Sequence, residues 1–151
     1  PTVIKVNISE CKAFYGMTSH AHGVDADVLD EENIYESAKW LKDMALHLGC
    51  VVVCSGKVDV ITDGKEVNLI SNGCEMLSRI TGTGCMLNVA IATFLASYSP
   101  LLACIKATCY YEVAAEKTEC SGPGTFHMHF MDEIYKLTSF DESLFKIEVL
   151  E

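Results

Sequence analysis

Residues 80–90, ITGTGCMLNVA, place a thiol where a glycine-rich loop passes into an apolar stretch of helical spacing. Glycines at such a place allow a tight turn and let a ligand approach without a Cβ in its way. The first N–H groups of a helix have no partner within it, and the helix dipole favours an anion beside them. We therefore predict an anion hole for a phosphoryl group. Its four residues are Gly82, Thr83, Gly84 and Cys85.

Cys85 is the residue of this segment with reactive chemistry. A helix N-terminus favours the thiolate form of a cysteine, which can accept a proton near neutral pH. The sulfur could therefore take the proton of a substrate hydroxyl as that oxygen attacks a phosphoryl group. It could instead act as a nucleophile, although no His or Asn pattern nearby resembles a protease partner. A purely structural turn into a helix is the third alternative that the residues leave open.

Two familiar phosphate-binding motifs do not match this segment. No Gly-Lys-Ser/Thr sequence follows the glycines, so it is not a Walker A loop. Position 87 is a leucine, so the segment is not a G-x-G-x-x-G dinucleotide fingerprint either. The glycines and the thiol alone therefore match neither motif, and they leave phosphoryl chemistry and a structural turn open.

Composition narrows the classes of partner. The net charge is −10, which argues against binding to nucleic acid or to an acidic membrane surface. No apolar run reaches the roughly 18 residues of a membrane span, and the first residues, PTVIKVNISE, do not resemble a signal peptide. The eight cysteines show no C-x-x-C pair and mostly lie among apolar residues. We expect reduced thiols and a cytoplasmic protein.

The elements that must position the thiol are read from hydrophobic periodicity. The pattern predicts strands at 3–8, 50–54, 58–62 and 66–70, with the Asp63-Gly64 pair joining the last two as a hairpin. It predicts a helical turn at 9–14, a helix between an N-cap at Asp30 and Gly49, and helices at 85–98, 101–119 and 125–137. Residues 138–151 are typical of a mobile or edge tail. This order predicts an α/β fold with a mostly parallel sheet flanked by helices.

Four stretches together resemble one known family, the hydroxyethylthiazole kinases, which have a ribokinase-like fold. RITGTGCMLNVAIATFLA resembles the family signature, and PTVIKVNISE resembles the strand that carries its N-x-x-E motif. VVVCSGKVDVITDG resembles the hairpin on the nucleotide side, and AAEKTECSGPGTFHMHFMDEIYKL resembles the last helices. The likeness extends over nearly all 151 residues. It implies that residues 1–151 are the C-terminal part of a single kinase domain whose N-terminal half is absent.

The resemblance also implies a reaction and its residues. Members phosphorylate the hydroxyl of 4-methyl-5-(2-hydroxyethyl)thiazole with ATP and Mg²⁺ in thiamine salvage, and they are homotrimers. Cys85 matches the base and Gly82 a residue near the thiazole. The other matches are Lys5 and Ser55 for ATP, and Asn7 and Glu10 for Mg²⁺. Without the family, Asn7 and Glu10 would be read as a helix cap and a solvated carboxylate.

Three positions depart from the family pattern. Lys5 stands for an arginine, Val6 for a glycine and Ser55 for a threonine. Lysine keeps the charge of arginine but loses its bidentate fork, so we expect altered ATP affinity. Two other functions stay open: another small-alcohol kinase of the same fold, or a catalytically silent fragment for nucleotide binding or assembly.

Overall fold

The computed structural model describes residues 1–14, 33–136 and 141–150. The strands are β1 (Val3–Asn7), β2 (Val51–Ser55), β3 (Asp59–Thr62), β4 (Val67–Ile70) and β5 (Ile147–Leu150). The α-helices are α1 (Ile8–Phe14), α2 (Ile34–Leu48), α3 (Thr83–Phe94), α4 (Pro100–Lys117) and α5 (Pro123–Lys136). Short 3₁₀ helices occur at Glu75–Arg79 and Glu142–Leu144.

The chain divides into two compact units, which we call the sheet unit and the helical unit. The sheet unit comprises Pro1–Ser71 and Ile147–Glu151, and therefore contains every described strand together with α1 and α2. The helical unit comprises Asn72–Lys146 and contains α3, α4 and α5. No helix in the described part of the chain has the length and apolar character needed to cross a bilayer.

The sheet of the sheet unit is mixed, with the strand order β1-β2-β3-β4-β5. Only β1 and β2 are parallel among its described strands, and each of the other three pairings is antiparallel. The prediction of an α/β fold with a hairpin is confirmed, but the prediction of a mostly parallel sheet is wrong for this part of the chain. Parallel strands need a long crossover, so the short connections from β2 to β3 and from β3 to β4 force antiparallel pairing. β4 and β5 are also antiparallel, although the long segment 71–146 joins them, so the length of that connection does not explain their pairing.

The core of the sheet unit forms between α2 and the middle strands. β2 is buried along all but its last residue, as its uninterrupted apolar run predicts. Leu41 and Met44 of α2 are fully buried and pack in one cluster with Val52. α2 ends at Gly49, which is left-handed at φ 62°, as predicted. The N-cap position is Asn33, and the predicted cap, Asp30, lies outside the described residues.

The turn between β3 and β4 follows the chemistry of Asp63-Gly64. The Asp63 carboxylate accepts N–H bonds from Lys65 at 2.8 Å and Glu66 at 3.0 Å, which closes the turn locally. Gly64 has φ 86°, a conformation that side chains other than hydrogen rarely adopt. The local sequence therefore explains where this hairpin reverses.

The helical unit packs α4 against α3 and α5. α3 begins two residues earlier than predicted and ends at Phe94, four residues earlier than predicted. Pro100 stands in the first turn of α4, where its missing N–H costs nothing. Phe126 and Phe130 of α5 are almost fully buried and stack on each other at 5.3 Å between ring centres. Aromatic packing therefore anchors α5 in this unit.

Candidate functional site

The predicted anion hole lies at the start of α3 in the helical unit. Gly82 occupies the N-cap position with φ 102°, and a Cβ added there would meet nothing within 4 Å. The first hydrogen bond of this helix runs from Met86 N to the Gly82 carbonyl at 2.9 Å. The amides of residues 83–85 therefore have no partner within the helix. Space and N–H donors occur together at this turn.

Cys85 is exposed in the first turn of α3. The residue is exposed to solvent, in contrast to the cysteines that fill the core. Cys120 is the other exposed thiol, and Cys74 is half-buried. The five buried cysteines are Cys11, Cys50, Cys54, Cys104 and Cys109.

The hydroxyl groups of Thr83 and Tyr111 make hydrogen bonds that stabilise the turn before α3. Thr83 Oγ1 donates to the Leu77 carbonyl at 2.8 Å and lies 3.2 Å from the Ile80 carbonyl oxygen. The Tyr111 hydroxyl of α4 donates to the Thr83 carbonyl at 2.8 Å. Sequence reasoning did not single out Tyr111, because a tyrosine in an apolar helix is usually a core residue. Its hydroxyl partner depends on how α3 and α4 pack.

Asn7 and Glu10 form a reciprocal capping box at the start of α1. Asn7 Oδ1 accepts the Glu10 N–H at 2.8 Å, and Glu10 Oε2 accepts the Asn7 N–H at 2.9 Å. Both residues are exposed. The contacts in the sheet unit therefore show the structural role of this pair, which is to cap a helix. The metal-binding role of Asn7 and Glu10 stays a prediction.

Lys5 and Ser55 lie on the two parallel strands. Asn7 and Ser55 are register partners at the carboxyl ends of β1 and β2. The Ser55 hydroxyl also donates to the Val6 carbonyl at 3.4 Å, which ties the two ends together. Lys5 is two residues before Asn7 and so faces the same side of the sheet. The carboxyl ends of parallel strands are where α/β proteins bind ligands.

A pocket of about 240 Å³ opens beside the end of β2 in the sheet unit. Its lining is mostly apolar and includes Ser55, Gly56 and Lys57. Asp59 shapes this corner, since its carboxylate accepts the Gly56 N–H at 2.9 Å. The volume falls below the roughly 300–1,000 Å³ of typical ligand sites, so the pocket suits part of a nucleotide rather than all of it.

Cys54 also lines this pocket, and its thiol donates a hydrogen bond to the Cys11 sulfur. That bond raises the pKa of Cys54 and lowers the pKa of Cys11, and burial further raises the pKa of Cys54. Cys54 therefore stays protonated at neutral pH and serves as a packing residue of the core.

The surroundings of Glu10 decide which kind of Mg²⁺ site its carboxylate could join. Over residues 1–14, 33–136 and 141–150 no cluster of three or more His, Cys, Asp or Glu side chains could hold a metal ion. The capping box engages Glu10 Oε2. Mg²⁺ commonly keeps several waters and binds one or two carboxylates together with substrate phosphates. One exposed carboxylate fits that mode of binding, and it does not fit a site made by the protein alone.

The predicted site residues thus fall into two sets. Asn7, Glu10, Lys5 and Ser55 belong to the sheet unit, and residues 82–85 belong to the helical unit. A family model described as the hydroxyethylthiazole kinase family matches residues 1–140. The chain belongs to the hydroxyethylthiazole kinase family. The resemblance read from the four sequence stretches is confirmed.

Several hydroxyethylthiazole kinases are similar to the chain. Hydroxyethylthiazole kinase 2 of Clostridium botulinum (strain 657 / Type Ba4) is 39% identical over 142 residues, which is 91% of this chain and 54% of that protein. Hydroxyethylthiazole kinase of Pyrococcus furiosus is 39% identical over 153 residues, which is 99% of this chain and 57% of that protein. The chain thus spans about half the length of the curated relatives it matches.

Solved structures agree on the fold. The hydroxyethylthiazole kinase protein of Pyrococcus horikoshii OT3 has a TM-score of 0.81 at 30% identity, covering 99% of this chain and 55% of that one. A pyridoxal kinase of Staphylococcus aureus has a TM-score of 0.64 at 20% identity, covering 99% of this chain and 51% of that one. The second likeness concerns the fold alone. The ribokinase-like α/β fold predicted for this hydroxyethylthiazole kinase family member is confirmed.

Proposed function

We propose that this chain is part of a kinase that transfers the γ-phosphoryl group of ATP to the hydroxyl of 4-methyl-5-(2-hydroxyethyl)thiazole, a step of thiamine salvage. The observation that carries the proposal is the exposed Cys85 in the first turn of the helix that begins after the open Gly82. Family membership supports the choice of substrate. Gly82 borders the thiazole alcohol, since it leaves room for a ligand.

The backbone amides and the Cys85 thiol have different roles in the transfer. The N–H groups of residues 83–85 stabilise the charge on the transferring phosphoryl oxygens. The Cys85 sulfur takes the proton of the substrate hydroxyl as the oxygen forms its bond to the γ-phosphorus. The bond between the γ-phosphorus and its bridging oxygen breaks, and ADP leaves with that electron pair. Positioning and charge stabilisation supply most of the rate in reactions of this kind.

ATP binds along the strand ends of the sheet unit in this proposal. Lys5 places a positive charge near its phosphates, as a point charge rather than a fork. The Ser55 hydroxyl contacts the nucleotide beside the pocket that Ser55 and Gly56 line. The position of both residues at or near the carboxyl ends of parallel strands supports this assignment.

Glu10, oriented by Asn7, would help to hold Mg²⁺ together with waters and the phosphates of ATP. The ion supplies neutralisation of phosphate charge when it is bound. The capping box keeps the Glu10 carboxylate at the strand end, because the Asn7 backbone N–H donates to Glu10 Oε2 at 2.9 Å. Asn7 is a positioning residue in this arrangement.

Three cysteine variants of the full-length protein test the role of Cys85. Cys85→Ala should lower ATP consumption with the thiazole alcohol by about 10²-fold or more, as expected for loss of a general base. Cys85→Asp should keep or raise turnover, because a carboxylate can accept the same proton. Cys120→Ala is the matched control, since Cys120 is also exposed, and it should behave as wild type.

The same assay separates the alternative functions. Unchanged turnover in Cys85→Ala would refute the assigned role of the thiol. Faster phosphorylation of another small alcohol than of the thiazole alcohol would favour a different kinase of this fold. ATP binding without any turnover in the full-length protein would favour a catalytically silent role.

We further propose a larger assembly for the active protein. The chain spans about half the length of its relatives, so the active enzyme would include the remaining N-terminal half. It would be a cytoplasmic homotrimer, as the family resemblance implies. Large apolar side chains that are exposed in the helical unit support burial by further protein: Val89 at 67% and Met128 at 71% exposure.

A further inference from the structure

The Tyr111 hydroxyl makes a specific contact with the loop of the proposed anion hole. It donates to the Thr83 carbonyl at 2.8 Å, across 28 residues of sequence. Thr83 is the first residue of α3, and Tyr111 lies in the middle of α4. The two helices pack directly against each other within the helical unit. A tertiary hydrogen bond thus reaches the backbone of the turn that precedes Cys85.

The carbonyl of Thr83, which accepts this hydrogen bond, is linked covalently to the N–H group of Gly84. The Thr83 carbonyl and the Gly84 N–H belong to one planar peptide group, and in a trans peptide they point in opposite directions. Fixing the carbonyl from the side of α4 therefore fixes the direction of the Gly84 N–H toward the open end of the helix. The Thr83 side chain ties the same residue to the segment before it, because its Oγ1 donates to the Leu77 carbonyl at 2.8 Å.

The Tyr111 side chain is itself held rigidly. It is 4% exposed, and its ring meets Phe130 edge to face with 4.8 Å between centroids. Burial raises the pKa of Tyr111, and the charge of Glu112 raises it further, so the hydroxyl remains a donor throughout the working pH range. A buried and neutral hydroxyl in a fixed ring is suited to orient one peptide group.

We propose that Tyr111 is a positioning residue for phosphoryl transfer, which orients the Thr83–Gly84 peptide so that the Gly84 N–H faces the transferring phosphoryl group. The inference rests on the proposed function of the α3 turn. It adds a residue outside the loop, whose role is to set the direction of a donor before the substrate arrives.

The test compares Tyr111→Phe with Tyr135→Phe in the full-length protein. The first variant removes one hydroxyl and keeps the ring, and the second removes a hydroxyl from a residue that is 86% exposed in the same unit. Selective ¹⁵N-glycine labelling reports the Gly84 amide directly. In Tyr111→Phe the Gly84 signal should move in the free protein, and its shift on addition of Mg²⁺ and ATP should be smaller than in wild type. Tyr135→Phe should leave both unchanged.

Steady-state kinetics provide a readout that a merely structural role would not move. In Tyr111→Phe we expect kcat to fall about tenfold, less than the 10²–10³-fold loss typical when a whole donor is removed. The KM values for ATP and the thiazole alcohol should change less than about twofold, because the oriented amide acts on the transition state. Thr83→Val removes the hydrogen bond from the Thr83 hydroxyl to the Leu77 carbonyl, and it should also lower kcat with little change in KM. This second variant keeps the inference testable if Tyr111→Phe does not fold.

The outcomes separate this inference from the proposed function. An unmoved Gly84 signal in Tyr111→Phe, or a moved signal with unchanged kcat, overturns the positioning role. If the wild-type protein shows no phosphoryl transfer, the proposed function fails on its own. In that case an ATP-induced shift of Gly84 that is smaller in Tyr111→Phe than in wild type still supports the orientation of the amide. A shift equal to that of wild type, or a wild-type protein in which ATP does not shift Gly84 at all, refutes it.

Discussion

Asn7 and Glu10 combine a structural contact with a candidate ligand role at the scale of single residues. Their two reciprocal hydrogen bonds, at 2.8 and 2.9 Å, cap α1. The same contacts present a carboxylate at the end of β1, where ligands of α/β proteins bind. A cap needs only an acceptor at this place, whereas Mg²⁺ is held by negative charge. The two roles can therefore be separated by removing the charge alone.

Glu10→Gln should preserve the cap and impair the proposed metal role. Glutamine also completes a capping box, so the free energy of unfolding should stay within about 0.5 kcal/mol of wild type. The Mg²⁺ concentration for half-maximal ATP consumption should rise about tenfold. Glu10→Ala, the matched variant, should also lose about 1 kcal/mol of stability in urea titrations. An unchanged Mg²⁺ requirement in Glu10→Gln would leave Glu10 as a cap only.

The hairpin between β3 and β4 shows how an element is joined to its neighbour. Gly64 combines φ 86° with a close approach to α2, since a Cβ built on it would lie 2.7 Å from the Leu46 backbone nitrogen. Asp63 sets the turn itself through its bonds to the following amides. The glycine is therefore required twice, once for the turn and once for packing of the turn on the helix.

Gly64→Ala should destabilise the protein by about 2–4 kcal/mol, because the new Cβ is strained and collides with backbone. Urea unfolding followed by circular dichroism measures the change. Gly124→Ala is the control in α5, where an added Cβ meets nothing within 4 Å and the backbone is not left-handed. That change should be neutral or stabilise by up to about 1 kcal/mol. Equal effects of the two substitutions would contradict the packing argument.

The whole molecule carries a net charge of −10 at neutral pH and a pI near 4.8. Its response to acid depends on carboxylates that the fold engages. Backbone N–H bonds from Glu66 and Lys65 lower the pKa of Asp63. Hydrogen bonding to Arg79 lowers the pKa of Glu75, and hydrogen bonding to Ser143 lowers that of Asp141. Each such group stabilises the folded state above its unfolded pKa, and the contribution is lost as pH falls through the folded pKa.

Asp63→Asn should therefore reduce the dependence of stability on pH in the acid range. In wild type the free energy of unfolding should decline below about pH 5, where unfolded carboxyl groups begin to bind protons. Asp63→Asn should be less stable than wild type at pH 7 and should show a shallower decline on acidification. Asp132→Asn, at an exposed position of α5, is the control and should keep the wild-type slope. Parallel curves for wild type and Asp63→Asn would refute the role of these turn bonds.

The local elements, including the turn into a helix at the candidate site, could be predicted from the sequence, since they depend on near neighbours. The apolar spacing before Gly49, the run at 50–54 and the Asp63-Gly64 turn each act over a few residues, and each is found in the fold. The glycines of residues 82–85 likewise predict a turn into a helix, although α3 begins at Thr83 rather than at Cys85.

Only the tertiary structure decided the features that join distant segments. The antiparallel pairing of β5 with β4 links residues 147–150 to 67–70, and no local pattern specifies that partner. The contact between Tyr111 and Thr83 depends in the same way on the packing of α4 against α3. Periodicity reports which face of an element is buried and not what lies against it, because burial is non-directional whereas a hydrogen bond needs two atoms at one distance.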